Sequence, residues 1–419
     1  MHLAIQFCDG LQKLDRNVTE SSTPGYRCSP MLDQGRLASC GGTKPHKKEI
    51  SVMTSGKFRA VPQWSIFAAV VLIHTLLAHA QNPQNQSIAS TTAPVIFNLV
   101  PTPDIGSIGS LCADKETDIW ATSLTNSVSL HFNGTSWARV PMAKASRVNK
   151  VAVLSNVNVW AVGQQTNDKF SQIQHFNGTV WSVVPSPHFT NGESLNSLRA
   201  ISANNIFVVG IFLDSLNHQT PLVEHFDGTK WSVVSVPHIT GGGLTDIAVV
   251  SPSDIWAVGA VSGATPAALT IHFNGLQWSR VPAPPAALLA VTSLATNNVW
   301  AAGVQLGRST VIEHWDGTSW KVVSSPNTGT ASVLNSITGI SPTDTWAAGC
   351  NACGDVGGSV PALIEHWNGT AWSVNPAPVQ FSGVSANTVL AFPLTKHIFV
   401  GGFTFASFGP SSVIMKGAE

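Results

Sequence analysis

The chain has 419 residues, equal numbers of basic and acidic side chains (22 each) and only 11% charged residues. Residues 81–419 carry 13 Lys and Arg against 17 Asp and Glu, with no basic run, which argues against a nucleic-acid partner. Tyrosine occurs once, at Tyr26, so any chemistry built on several tyrosines is excluded.

Residues 1–52 show no hydrophobic periodicity and read as a non-globular extension, upstream of a second candidate start at Met53. Residues 53–80 run from a basic pair, Lys57 and Arg59, through the apolar stretch Trp64 to Leu77, to Ala78-His79-Ala80. That order is a secretory signal peptide with cleavage before Gln81. The apolar stretch is shorter than the ~20 residues of a comfortable membrane span, although an uncleaved anchor is the alternative. Cleavage would leave no stable span and place the protein outside the cell or on its surface. Residues 81–91 are a polar linker.

From residue 92 to 419 the chain repeats itself. An aromatic residue recurs as Trp120, Trp160, Phe207, Trp256, Trp300, Trp346 and Phe399, at spacings of 40, 47, 49, 44, 46 and 53. A period of ~40–50 residues with several short strands per unit is the mark of a β-propeller. The sixth copy shows four β runs: Leu334 to Ile340, Thr345 to Gly349, Ala362 to Trp367 and Ala371 to Asn375. Ser341-Pro342-Thr343-Asp344 and Asn368-Gly369 punctuate them as turns, the second favouring a tight hairpin with positive φ. Thirteen of the 14 Trp lie after residue 80, mostly at two repeat positions, the Asp-x-Trp and Gly-Thr-x-Trp sites, so they read as inter-blade core. Each buries ~150–250 Å², an upper bound of roughly 4–6 kcal/mol. His131, His175, His225, His272, His314 and His366 share one phase of the third strand, which places them in six separate blades as internal hydrogen-bonders and not as a metal ring.

The last copy has a second strand (Ile398 to Gly402) and a third (Ser412 to Lys416), then ends without a fourth. Phe97 to Pro103 resembles the fourth-strand segment Trp181 to Pro187. The expectation is therefore an all-β fold: a seven-bladed β-propeller of four-stranded antiparallel blades, its ring closed by an N-terminal strand. Six or eight blades would require the weak last copy to be misread.

Cys350-Asn351-Ala352-Cys353 has no second Cys or His pair to complete a zinc site, and no helix to make it a redox motif. In an oxidising compartment Cys350 and Cys353 form a local disulfide, leaving Cys112 unpaired. Function is expected where the copies differ. The gaps from the aromatic to the repeat His are 11, 15, 18, 16, 14 and 20 residues, longest in blades 3 and 6. Loops joining strands two and three emerge on the same face as those joining one blade to the next. Their non-repeat polar residues, His188, Glu193, Asp214, His218, His238 and Asp355, are the candidate ligand-binding set.

The order Ala347-Ala348-Gly349, Trp367, Trp372 and its copy Ala301-Ala302-Gly303, Trp315, Trp320 resembles the kelch and galactose-oxidase-like propeller families. The usual Gly-Gly doublet of kelch repeats appears only at Gly401-Gly402. The resemblance implies fold and not activity. Galactose oxidase needs tyrosine copper ligands and sialidases a tyrosine nucleophile, and the repeat region has neither. Two functional classes follow. The first is a secreted, non-catalytic scaffold that recognises an extracellular glycan or protein, with no cofactor. The second is a metal-dependent lyase or hydrolase using His and carboxylates of the same face, and a bound divalent metal would be its mark.

Overall fold

The computed structural model describes residues 94–418, apart from 144–145, 166–169, 264–266, 306–308, 327–330, 352, 354–361, 378–383 and 407–408. The expected extension (1–52), signal peptide (53–80) and linker (81–91) all fall outside the described residues. All regular structure among the described residues is β. Seven four-stranded antiparallel sheets form the blades of a β-propeller, spanning 108–141, 146–184, 193–233, 242–280, 287–323, 333–374 and 384–418. In blade 6 the strands are Val333–Ser341, Asp344–Cys350, Ala362–Trp367 and Trp372–Val374.

Blade 7 is completed from the other end of the chain. Its sequence-derived strands run longer than expected, as His397–Ala406 and Gly409–Ala418, and Val384–Phe392 supplies the innermost one. Asn98–Leu99 adds the fourth strand, with Asn98 opposite Lys416 and Leu99 opposite Met415. Upstream, Asn375 of blade 6 holds Val95 by two hydrogen bonds of 2.7 and 2.8 Å, and Phe97 meets Trp346 edge-on at 6.2 Å. Closure hides the sheet edges that an open array would expose.

Tryptophan stacks the blades. Trp120 of blade 1 lies 4.9 Å from Phe176 and 5.7 Å from Trp181 of blade 2. The same arrangement recurs with Trp160 on Phe226 and Trp231, Trp256 on Trp315 and Trp320, and Trp300 on Trp367 and Trp372. Around the channel a second set of contacts joins the blades. Each innermost strand has a β-bulge, and in five of the seven blades the side chain at the bulge reaches the next blade's backbone: Asn149 to the Leu195 carbonyl, Asn196 to Leu244, Thr245 to Leu288, Asn335 to Ala386 and Asn387 to Ile108. Bulges locally unpair the ladder and re-aim a side chain, and here they link the ring.

The turn between third and fourth strands is looser than the Asn-Gly pair suggests. Phe132 faces Trp137 across a four-residue loop, and only its glycine, Gly134, has positive φ (93°). The Asn133 Oδ1 accepts the amides of Thr135 and Ser136, so the side chain closes the turn itself.

Candidate functional site

The repeat histidines are internal to their blades. Each pairs in register with the second-strand aromatic and stacks on it, at 4.4 Å for Trp120–His131 and 4.1 Å for Trp346–His366. Each Nε2 meets a side-chain oxygen at the start of the second strand: Asp118, Asn158, Asn205, Asp254, Asn298 or Asp344, at 2.7–3.1 Å. Asp344 also accepts from Trp346 Nε1 at 2.9 Å. Asp344→Ala therefore strands two donors and is expected to cost about 2–4 kcal/mol. Asp344→Asn should stay within about 1 kcal/mol, since three blades already use Asn. Denaturant unfolding of the two variants checks this contrast.

The loop residues fall into one corner of the ring. His188 lies in the connection entering blade 3, Asp214 and His218 in the loop between its second and third strands, and His238 in the connection leaving it. Glu193 is placed differently from the sequence expectation of an exposed loop group. It opens the innermost strand Glu193–Ser202 and is 1% exposed. Its Oε1 accepts the Ser171 amide and meets His188 Nδ1, both at 2.9 Å, while Oε2 accepts the Phe189 amide at 3.0 Å. Glu193 thus positions the loop and does not face solvent.

His188 projects from that anchor with its side chain about half exposed, 5.0 Å from the Phe170 ring. Phe189 stacks on Phe212 at 4.4 Å. Asp214 caps the next loop by accepting the amides of His218 and Leu216, both at 2.8 Å, and its carboxyl is held below the ordinary range chiefly by the His218 amide. The Asp214 carbonyl accepts from Asn191, and the Gly241 amide bonds the Gln219 carbonyl. These bonds fasten the three loops to one another, with His188, His218 and His238 left at the surface. Asp355 lies outside the described residues.

Sequence reasoning passed over Phe170, Phe189 and Phe212 because it sought polar residues. Their signal was aromatic residues off the repeat phase. Cys350 and Cys353 are disulfide-bonded, with Cα atoms 5.7 Å apart, and Cys112 is a half-buried thiol. Among the described residues no group of three or more His, Cys, Asp or Glu could hold a metal ion, and no helix is long and apolar enough to cross a membrane.

No family model matches the chain, and no curated protein does. Among solved structures, the chain is similar to YCF48 bound to D1 peptide, at 15% identity and a TM-score of 0.54, covering 81% of this chain and all of that one. The WD40 propeller domain of Doa1 aligns at 11% identity and a TM-score of 0.52, covering 77% and 97%. So does a catalytically inactive virginiamycin B lyase from Staphylococcus aureus with quinupristin, at 11%, 0.52, 77% and 99%. What these likenesses show is the fold. The propeller with seven blades is common ground, and the kelch-like order is not singled out by it.

Proposed function

We propose that the protein is an exported, non-catalytic binding scaffold that takes up a polypeptide or glycan on the loops around blade 3. The observation that carries this reading is the Glu193 anchor: a buried carboxylate spends both oxygens on holding one exposed loop, with His188 and Phe170 beside it. Preorganised loops over a rigid scaffold lower the ordering cost of binding. The half-exposed His188 imidazole beside the Phe170 ring offers stacking and hydrogen bonding to either ligand class. The peptide bound to YCF48 is support at the level of fold analogy. The signal-peptide pattern of residues 53–80 and the low charge support export, and the kelch-like repeat order belongs to the same reading.

Peptide and glycan arrays probed with the chain, wild type against His188→Ala/His218→Ala, test it. Ligands retained by the wild type and weakened about tenfold or more in the variant are expected. Array binding that ignores the variant would remove the site from blade 3. Stoichiometric divalent metal in the purified protein would put the lyase or hydrolase reading first.

A further inference from the structure

Three charged side chains stand together on the innermost strands of blades 2, 3 and 4: Lys150, Arg199 and Asp246. Asp246 is buried and fully engaged. Its Oδ1 accepts from Ser197 at 2.6 Å and faces Lys150 Nζ at 3.3 Å, and its Oδ2 accepts the Val291 amide at 3.0 Å. Burial pushes its carboxyl up, but Lys150, Arg199 and the hydrogen bonds from Ser197 and the Val291 amide together outweigh that and keep it below the ordinary range, hence ionised. One carboxylate therefore answers two cations, and Lys150 has the contact. The single side-chain hydrogen bond of Arg199 among the described residues runs from Nη1 to the Leu198 carbonyl at 3.4 Å, the long limit for such a bond.

Arg199 is also the one charged residue at its level of the ring. It faces Phe207 in register, and the corresponding positions of the other blades hold Cys112, Ala152, Ala248, Thr292, Thr338 and Leu390. The small Ala248 and Thr292 leave space beside it. A groove of about 440 Å³ opens there, walled by Arg199, Ile201, Val250, Pro252 and the hydroxyl-bearing Ser251 and Ser293. It lies where first strands turn into second strands, at the opposite end of the ring from the loops around His188.

A half-buried guanidinium without a carboxylate of its own is costly, and an incoming anion offsets that cost. The planar N–H fork of arginine fits the two oxygens of a carboxylate or phosphate. We propose that this groove is an oxyanion-binding site anchored by Arg199, taking a small carboxylate or phosphate compound whose apolar part rests on Ile201, Val250 and Pro252.

Calorimetric titration of the full chain with inorganic phosphate, and separately with butyrate, tests the proposal. Saturable binding of at least one is expected, weakened about tenfold or more in Arg199→Ala and less in Arg199→Lys. The preferred anion then identifies the ligand class. Arg199→Ala should fold normally, because Ala already occupies this position in blades 2 and 4, and an unchanged unfolding midpoint verifies it. His188→Ala should leave the anion titration unchanged, which separates this site from the loop site. No saturable binding of either anion, or equal binding by Arg199→Ala, would overturn the assignment.

Discussion

Raising the pH from about 7 to about 8.5 should lower the unfolding midpoint by several degrees, and the Glu224→Gln/Glu313→Gln/Glu365→Gln triple variant should lose that dependence. These three glutamates occupy one repeat position, immediately before the blade histidine. All are 0% exposed, and neither carboxyl oxygen of any of them has a hydrogen-bond partner among the described residues. Burial pushes each carboxyl up to about 8, with the acid Glu193 adding to the shift at Glu224. An acid whose folded pKa exceeds its unfolded value keeps its proton in the native state after the unfolded chain has lost it. Stability therefore falls as pH rises from the ordinary glutamate range to about 8, and the loss is complete above that. The slope is about 1.4 kcal/mol per pH unit for each carboxyl, so about 4 kcal/mol per unit if all three titrate together.

The Asn-paired blade histidines do not obscure this window. Burial lowers the pKa of His175, His225 and His314, so they are neutral in both states by about pH 7.5 and any contribution they make lies below it. The amide variants are conservative by the chain's own example. Blade 2 carries Gln174 at this position, bonded to the Ala143 amide and to Gln172, while blades 1 and 4 carry Leu130 and Ile271. Chemical denaturation of wild type and triple variant at both pH values decides the matter. A flat wild-type profile would mean that the carboxyls find partners and stay ionised.

The blade count and its closing strand were legible because repeats multiply weak signals: one Trp says little, but the same Trp at regular intervals fixes the stacking of blades. The histidine role was legible for the same reason, since six copies at one phase cannot converge on one ion. Glu193 was misjudged as a surface group because sequence separates loop from strand only by pattern, and the pattern breaks at the strand's first residue. Its burial depends on Ser171, His188 and Phe189 arriving from other segments, a tertiary fact with no local trace. The pairing of Lys150 with Asp246 was equally hidden, since the two lie in different blades with blade 3 between them. The lack of partners for the glutamates was hidden as well, because alternation marks a buried face without showing what it packs against.

Gly349→Ala should be among the most damaging single changes in the molecule, costing about 4 kcal/mol or more, where Gly339→Ala in the same blade costs about 1 kcal/mol. In six blades the second strand carries Gly at one register position, opposite the residue before the bulge of the innermost strand, as Gly163, Gly210, Gly259, Gly303, Gly349 and Gly402. The reason for glycine lies across the sheet. A Cβ on Gly349 would sit 1.9 Å from the Val333 carbonyl oxygen and 2.9 Å from the Leu334 Cα, both backbone atoms of the innermost strand. The bulge between Leu334 and Ser336 brings that strand so close. The same bulge aims Asn335 at the Ala386 carbonyl and Ser336 at the Val389 amide, so moving the strand to admit a methyl breaks the link from blade 6 to blade 7. Gly339 lacks this constraint, because its added Cβ would meet only side-chain atoms of Leu294 at about 2.9 Å, which can turn away. Blade 1 follows a different local solution: Ser123 stands at the glycine position, with its hydroxyl bonded to the Ile105 carbonyl at 2.6 Å. Denaturant unfolding of the two alanine variants compares backbone with side-chain obstruction directly. Equal losses would show that glycine is kept here for a reason other than the approach of the innermost strand.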